Sequence, residues 1–110
     1  NYPGLTSHTG HARAAKLFDG FGGMLGFELA GGAEAAKRFS EAVTIPIVAP
    51  SLGGVETLIT LPALTSHAGL TPEERAEVGV ADGLIRVSVG IEGTEDLIRD
   101  FEAALAALQA

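Results

Sequence analysis

Two segments hold the residues best suited to do chemistry. A serine heads a glycine-rich turn in Ser51-Leu-Gly-Gly-Val-Glu-Thr57, and an arginine stands alone among aliphatic residues in Leu84-Ile-Arg-Val-Ser-Val-Gly90. Together they are the equipment of an anion site. The planar guanidinium of Arg86 offers two parallel donors that match a carboxylate, a match lysine cannot reproduce. Gly53 and Gly54 would let the backbone approach a ligand closely. Each residue also has a plainer reading. Arg86 can be a solvated residue on the outer face of a half-exposed strand, and Ser51 can cap its own turn.

The other reactive side chains promise less. Ser66, just before His67, could hydrogen-bond beside a bound carboxylate or be an ordinary loop serine. His8 and His11 lie one helical turn apart, but no neighbouring carboxylate or thiolate completes a metal site, so packing is the expected role. Glu56 and His67 have no visible partner for acid–base work. Gly20-Phe-Gly-Gly resembles a dinucleotide-binding turn only in part, because Leu25 stands where the third glycine belongs and the run enters a strand instead of leaving one. Lys16 and Lys37, the only lysines, sit in amphipathic helical patterns where solvated charge is the ordinary outcome.

These residues must be positioned by alternating helices and strands. Residues 8 to 18 suit a short helix closed by Asp19-Gly20. In Met24–Leu29 the period-2 pattern puts Leu25, Phe27 and Leu29 on one face. Residues 33 to 42 return to helix, and the proline-flanked run Ile45–Pro50 fits only an edge strand or extended connector. Thr57–Leu61 is strand-like up to Pro62. Thr71-Pro-Glu-Glu74 spells a capping box for a short helix to about Val78. Leu84–Val89 is the clearest strand, with Ile85, Val87 and Val89 on one face and Leu84, Arg86 and Ser88 on the other. Thr94 is expected to cap a last helix whose Leu97, Phe101, Leu105 and Leu108 form an apolar stripe. The fold class that follows is α/β in two layers, α+β in character: a small, mostly antiparallel sheet with helices on one face and the other face open.

Composition narrows the function classes. The 110 residues make one domain, 1–110, with a single core. A net charge of −7 with seven dispersed basic residues argues against a nucleic-acid surface. No apolar run approaches the roughly 20 residues of a membrane span, and without Cys there are neither disulfides nor thiolate metal sites. A cytoplasmic domain is expected. The chain opens on Asn1 with no initiator Met, which reads as a piece of a longer polypeptide.

With the opening Tyr2-Pro-Gly-Leu-x-Ser-His8 and the run Gly20–Glu28, the two segments resemble the C-terminal domain of the pyridoxal-phosphate (PLP) enzymes of cysteine and methionine metabolism, the cystathionine γ-synthase and γ-lyase family. The resemblance runs nearly end to end. It implies the small domain of a fold-type I PLP enzyme, with Arg86 gripping the α-carboxylate of an amino-acid substrate, Ser51 assisting through its amide and hydroxyl, and Ser66 nearby. It also implies that PLP and its lysine belong to a large domain absent from this chain, since neither Lys16 nor Lys37 stands in a matching segment. The expected partners are the remainder of the parent polypeptide and further copies of it, in a homotetramer built as a dimer of dimers. The parent would make or break C–S bonds at the γ- or β-carbon of an amino acid. Ala-Pro-Ser-Leu-Gly-Gly-Val-Glu leans toward a synthase or homoserine-ester sulfhydrylase; a C–S lyase and a non-catalytic assembly module are the alternatives.

Overall fold

Strand alternation decides where the core lies. The computed structural model describes residues 1–65 and 67–108. Along the chain run α1 (His11–Leu17), β1 (Met24–Glu28), α2 (Gly32–Ala42), β2 (Ile47–Val48), β3 (Leu58–Thr60), a 3-10 turn (Pro62–Leu64), α3 (Pro72–Glu77), β4 (Leu84–Ser88) and α4 (Thr94–Ala107). The sheet order is β1-β4-β3-β2. β4 is antiparallel to both its neighbours, and β2 joins the edge parallel to β3. The proline-flanked run thus lies where proline is tolerated, at an edge.

Register puts Leu25 opposite Val87, Phe27 opposite Ile85, and Ile59 opposite Val87. These residues form the helix-facing side of the sheet, packed under α2 and α4 with Ala36, Phe39, Phe101 and Ala104. Phe39 is the centre of this layer. It is fully buried and meets Phe27 and Phe101 edge-on, with ring centroids 5.6 and 5.5 Å apart. Burying a side chain of this size contributes about 1.5–3 kcal/mol.

The ends of the helices show which local signals are obeyed. In α3 the capping box forms as its sequence predicts, with the Thr71 hydroxyl accepting from Glu74 N–H and the Glu74 carboxylate accepting from Thr71 N–H. Bonds to the carboxyl from the Thr71 amide, and then from the Thr71 hydroxyl, hold Glu74 below its ordinary range. In α4 the expectation fails by one residue: Gly93 is the cap, and Thr94 begins the helix. The Asp96 carboxylate folds back over Gly93, into space that a side chain there would fill, and its charge suits the helix N-terminus. The apolar stripe is corrected too. Ala104 is buried while Leu105 is 40% exposed, because steps of four, three and four residues from Leu97 through Phe101 and Ala104 to Leu108 follow the helical repeat more closely.

The far side of the sheet carries Met24, Gly26, Leu58, Thr60, Leu84, Arg86 and Ser88. It is less open than alternation alone suggests. Ser88 is only 2% exposed, because the glycine-rich turn folds over it and Gly53 N–H donates to its Oγ at 2.8 Å. Asp100 of α4 ties the two layers together: its carboxylate accepts from Thr44 N–H, Thr44 Oγ1 and Ile45 N–H, all within 3.0 Å, just ahead of β2.

Candidate functional site

β4 brings the two predicted segments together. Arg86 projects from the middle of the strand, opposite Gly26 of β1 and Thr60 of β3. One of these cross-strand neighbours has no side chain and the other carries a hydroxyl. Its Nη2 donates to the carbonyls of Pro50 at 2.8 Å and Ser51 at 3.0 Å, and to Thr60 Oγ1 at 3.1 Å. Two residues on, Ser88 accepts from Gly53. Alternate residues of one strand therefore staple the serine turn to the sheet at both ends.

Gly53 makes the turn possible by its conformation. Its φ of +82° lies in the left-handed region that favours glycine. A side chain at Gly53 would meet no other part of the chain, and Gly54 has neither a positive φ nor a close neighbour.

Around Arg86 the electrostatics are unbalanced. Among the described residues no carboxylate lies within ion-pair distance of it, whereas Arg75 pairs with Asp82 at 3.0 Å and Arg99 with Asp96 at 2.7 Å. Its Nε is buried and has no hydrogen-bond partner among them. An unsatisfied buried donor costs about 1–3 kcal/mol, more when charged. A half-buried arginine with an orphan donor and no counter-ion among the described residues, in a chain of net charge −7, has the chemistry to take up an anion.

Arg86 also lines a hollow of about 380 Å3 with Met24, Pro62, His67, Val80 and Leu84. Nearby in the chain, Arg75 donates to the Leu70 carbonyl at 2.5 Å while paired with Asp82. A second cavity of about 370 Å3 lies on the helix side, among Val87, Val89, Leu97, Phe101, Glu92 and Glu102. Apolar walls and two carboxylates suit it poorly to an anion.

Ser51 stands where the sequence places it, exposed beside Arg86, but the contact observed is through its carbonyl. Ser66 lies outside the described residues. His8 accepts from Gly10 N–H, and His11 bonds the Pro3 carbonyl and stacks on Phe21. No cluster of three or more metal-ligating side chains occurs among the described residues, and no helix there is long and apolar enough to cross a membrane.

Sequence reasoning missed three supporting groups. Thr60 is buried beside Arg86; its signal was parity, since it shares a face with Leu58 and breaks an aliphatic run. Ser88 was placed on the right face but not given its bond to Gly53. Glu92 accepts from Thr57 Oγ1 at 2.6 Å and Thr57 N–H at 2.8 Å. The Thr57 hydroxyl, then its amide, then Glu92's own amide hold that carboxyl below the usual range. Thr57 Oγ1 in turn accepts from Gly90 N–H at 2.9 Å, locking the exit of β4 to the entry of β3.

The fold is a two-layer α/β domain with a half-buried, carboxylate-free arginine on one side of its sheet. The chain belongs to the family of PLP-dependent enzymes of Cys/Met metabolism, whose family model matches residues 1–106. It is 51% identical over 104 residues to the cystathionine beta-lyase of Lactococcus lactis subsp. cremoris (strain MG1363), a match spanning 94% of this chain and 27% of that protein. To the L-methionine gamma-lyase of Fusobacterium nucleatum subsp. polymorphum it is 48% identical over 104 residues, 94% of this chain and 26% of the relative. The crystal structure of cystathionine gamma synthase from Xanthomonas oryzae pv. oryzae in complex with cystathionine superposes with a TM-score of 0.89 at 48% identity, covering 98% of this chain and 28% of that one. The chain thus spans about a quarter of the length of these relatives.

The family's cofactor does not fit the residues present here. Lys16 and Lys37 are exposed on α1 and α2, and a lysine that carries PLP has to be desolvated and placed against a carboxylate-paired ring.

Proposed function

We propose that this chain is the C-terminal, substrate-carboxylate-binding domain of a PLP-dependent enzyme that makes or breaks C–S bonds at the γ- or β-carbon of an amino acid. PLP is held by a large domain outside residues 1–110. The observation that carries this reading is Arg86: half buried, stapled to the Ser51 turn, without a carboxylate partner and with its Nε unsatisfied. A substrate α-carboxylate supplies both the missing charge and the missing acceptor. Ser51, exposed at the same turn, offers its amide and hydroxyl to that ligand, and Ser66 is proposed to lie beside it.

In this scheme the domain positions and does not react. Fixing the carboxylate fixes the orientation of the Cα bonds, and orientation of this kind can lower a barrier by several kcal/mol, up to about 7–11. Synthase and lyase chemistry need the same grip. The domain is slightly more similar to a lyase, at 51%, than to a synthase, at 48%. A synthase or homoserine-ester sulfhydrylase remains our first reading, with elimination second. The parent is proposed to be cytoplasmic and a homotetramer formed as a dimer of dimers.

The test is Arg86→Lys in the full-length protein. Charge is kept and the bidentate fork is lost, so kcat/KM should fall about 100-fold while PLP absorbance stays unchanged. Near-normal turnover would refute the assignment.

A further inference from the structure

We propose that Thr60 is a positioning residue that sets the specificity of this site for a carboxylate, acting through Arg86. The inference rests on the carboxylate-binding reading and deepens it.

Thr60 lies on β3 directly opposite Arg86 and is 3% exposed. Its hydroxyl donates to the Ala49 carbonyl at 2.5 Å. A hydroxyl has one hydrogen, and here that hydrogen is committed, so toward Arg86 the oxygen can only accept. It does so from Nη2 at 3.1 Å. The two bonds have different geometric roles. The first ties Thr60 to the segment that enters the Ser51 turn, just beyond the place where Ala49 N–H reaches the Ile59 carbonyl at 3.0 Å. The second ties it to the guanidinium.

Nη2 has two hydrogens and three acceptors: the carbonyls of Pro50 and Ser51 and the Thr60 oxygen. The carbonyls belong to an exposed turn, whereas Thr60 belongs to the buried sheet. Of the three, Thr60 is the anchor that remains in place when a ligand oxygen displaces a turn carbonyl. Because the guanidinium is planar and rigid, pinning one nitrogen to the sheet restricts the plane in which the remaining donors, the unsatisfied Nε among them, meet a carboxylate. Gly26, on the opposite strand, offers no such restraint. Without Thr60 the arginine keeps its charge but loses its plane, and a bidentate ligand suffers more than a neutral one.

The test uses the full-length protein and compares inhibition by butanoate with inhibition by butanamide, alongside substrate KM and kcat. Thr60→Val keeps the shape and removes the acceptor. Butanoate binding and KM should weaken about ten-fold, with butanamide binding and kcat within about three-fold of the original. Thr60→Ser, which keeps the hydroxyl, should restore butanoate binding to within about three-fold. If Thr60→Val does not fold, Thr60→Cys, a weak acceptor, decides the matter by the same comparison. Unchanged butanoate binding in the variant, or equal losses for acid and amide, would overturn the inference. Arg86→Lys measured beside it separates the two claims. If that variant loses butanoate and Thr60→Val does not, only the role of Thr60 falls; if neither loses it, the carboxylate-binding reading falls as well.

Discussion

At the scale of single residues, hydrogen-bonded side chains decide the local electrostatics. Asp100 is the clearest case outside the site. Burial raises its pKa, but bonds from Ile45 N–H, Thr44 N–H and the Thr44 hydroxyl together outweigh that effect and hold the carboxyl below its ordinary value. The sign of the pH dependence follows. At neutral pH the carboxylate is charged in the folded and unfolded chain alike, and the stabilisation is complete. Below about pH 4 the unfolded chain takes up its proton first, and the contribution fades as pH falls through the lower folded value. Asp100→Ala should therefore destabilise the domain by about 1 kcal/mol at pH 7, a small value because the site is near water. The gap between variant and original should narrow toward pH 3. Thermal unfolding across that range measures it, and a gap that widens in acid would contradict the assignment.

At the scale of elements, the sheet has two sides with different tasks. The helix side holds the fold, and Phe39 of α2 joins β1 to α4 through its two edge-on ring contacts. Phe39→Ala would leave a cavity at a fully buried position and should cost about 3–5 kcal/mol, most of the stability of a small domain. Denaturant unfolding tests this; a loss under 1 kcal/mol would place the core elsewhere. On the other side, β4 organises the site through Arg86 and Ser88, which hold positions 50, 51 and 53 of the turn. Period-2 alternation in Leu84–Ser88 made this division of faces legible in the sequence. That Ser88 would be buried was not legible, because burial came from a turn thirty-five residues away in the chain.

At the scale of the whole molecule, apolar surface is left without cover. Leu17 and Phe18 at the end of α1 are 65% and 64% exposed, as are Val55 at 66% and Leu52 at 56% beside the serine turn. Patches of this kind mark contact surfaces, and here they suit the proposed large domain and the neighbouring copies of a tetramer. The 110-residue chain by itself should bind a hydrophobic dye and self-associate in sedimentation experiments, and borohydride treatment with PLP should trap no stoichiometric adduct. A dye-silent monomer would show that these surfaces are not interfaces, and one PLP trapped per chain at Lys16 or Lys37 would overturn the assignment of the cofactor to another domain.

Local patterns were readable because their physics is local. The capping box at Thr71, the short helices, the edge position of the proline-flanked strand and the side of β4 on which Arg86 lies all follow from periodicity, φ restrictions and hydrogen bonds spanning a few residues. Arg86 and Ser51 stood out because a lone charge in an apolar strand and a serine before paired glycines are unusual types in their settings. Which groups would meet was decided by register and by loop closure. That Thr60 faces Arg86, that Gly53 reaches Ser88 and that Glu92 grips Thr57 depend on how β3, β4 and the turns beyond them align. The cap of α4 likewise falls on Gly93 instead of Thr94, with the Asp96 carboxylate close over the glycine. Such contacts join residues distant in the chain, so only the folded molecule brings them within the roughly 3 Å at which a hydrogen bond forms.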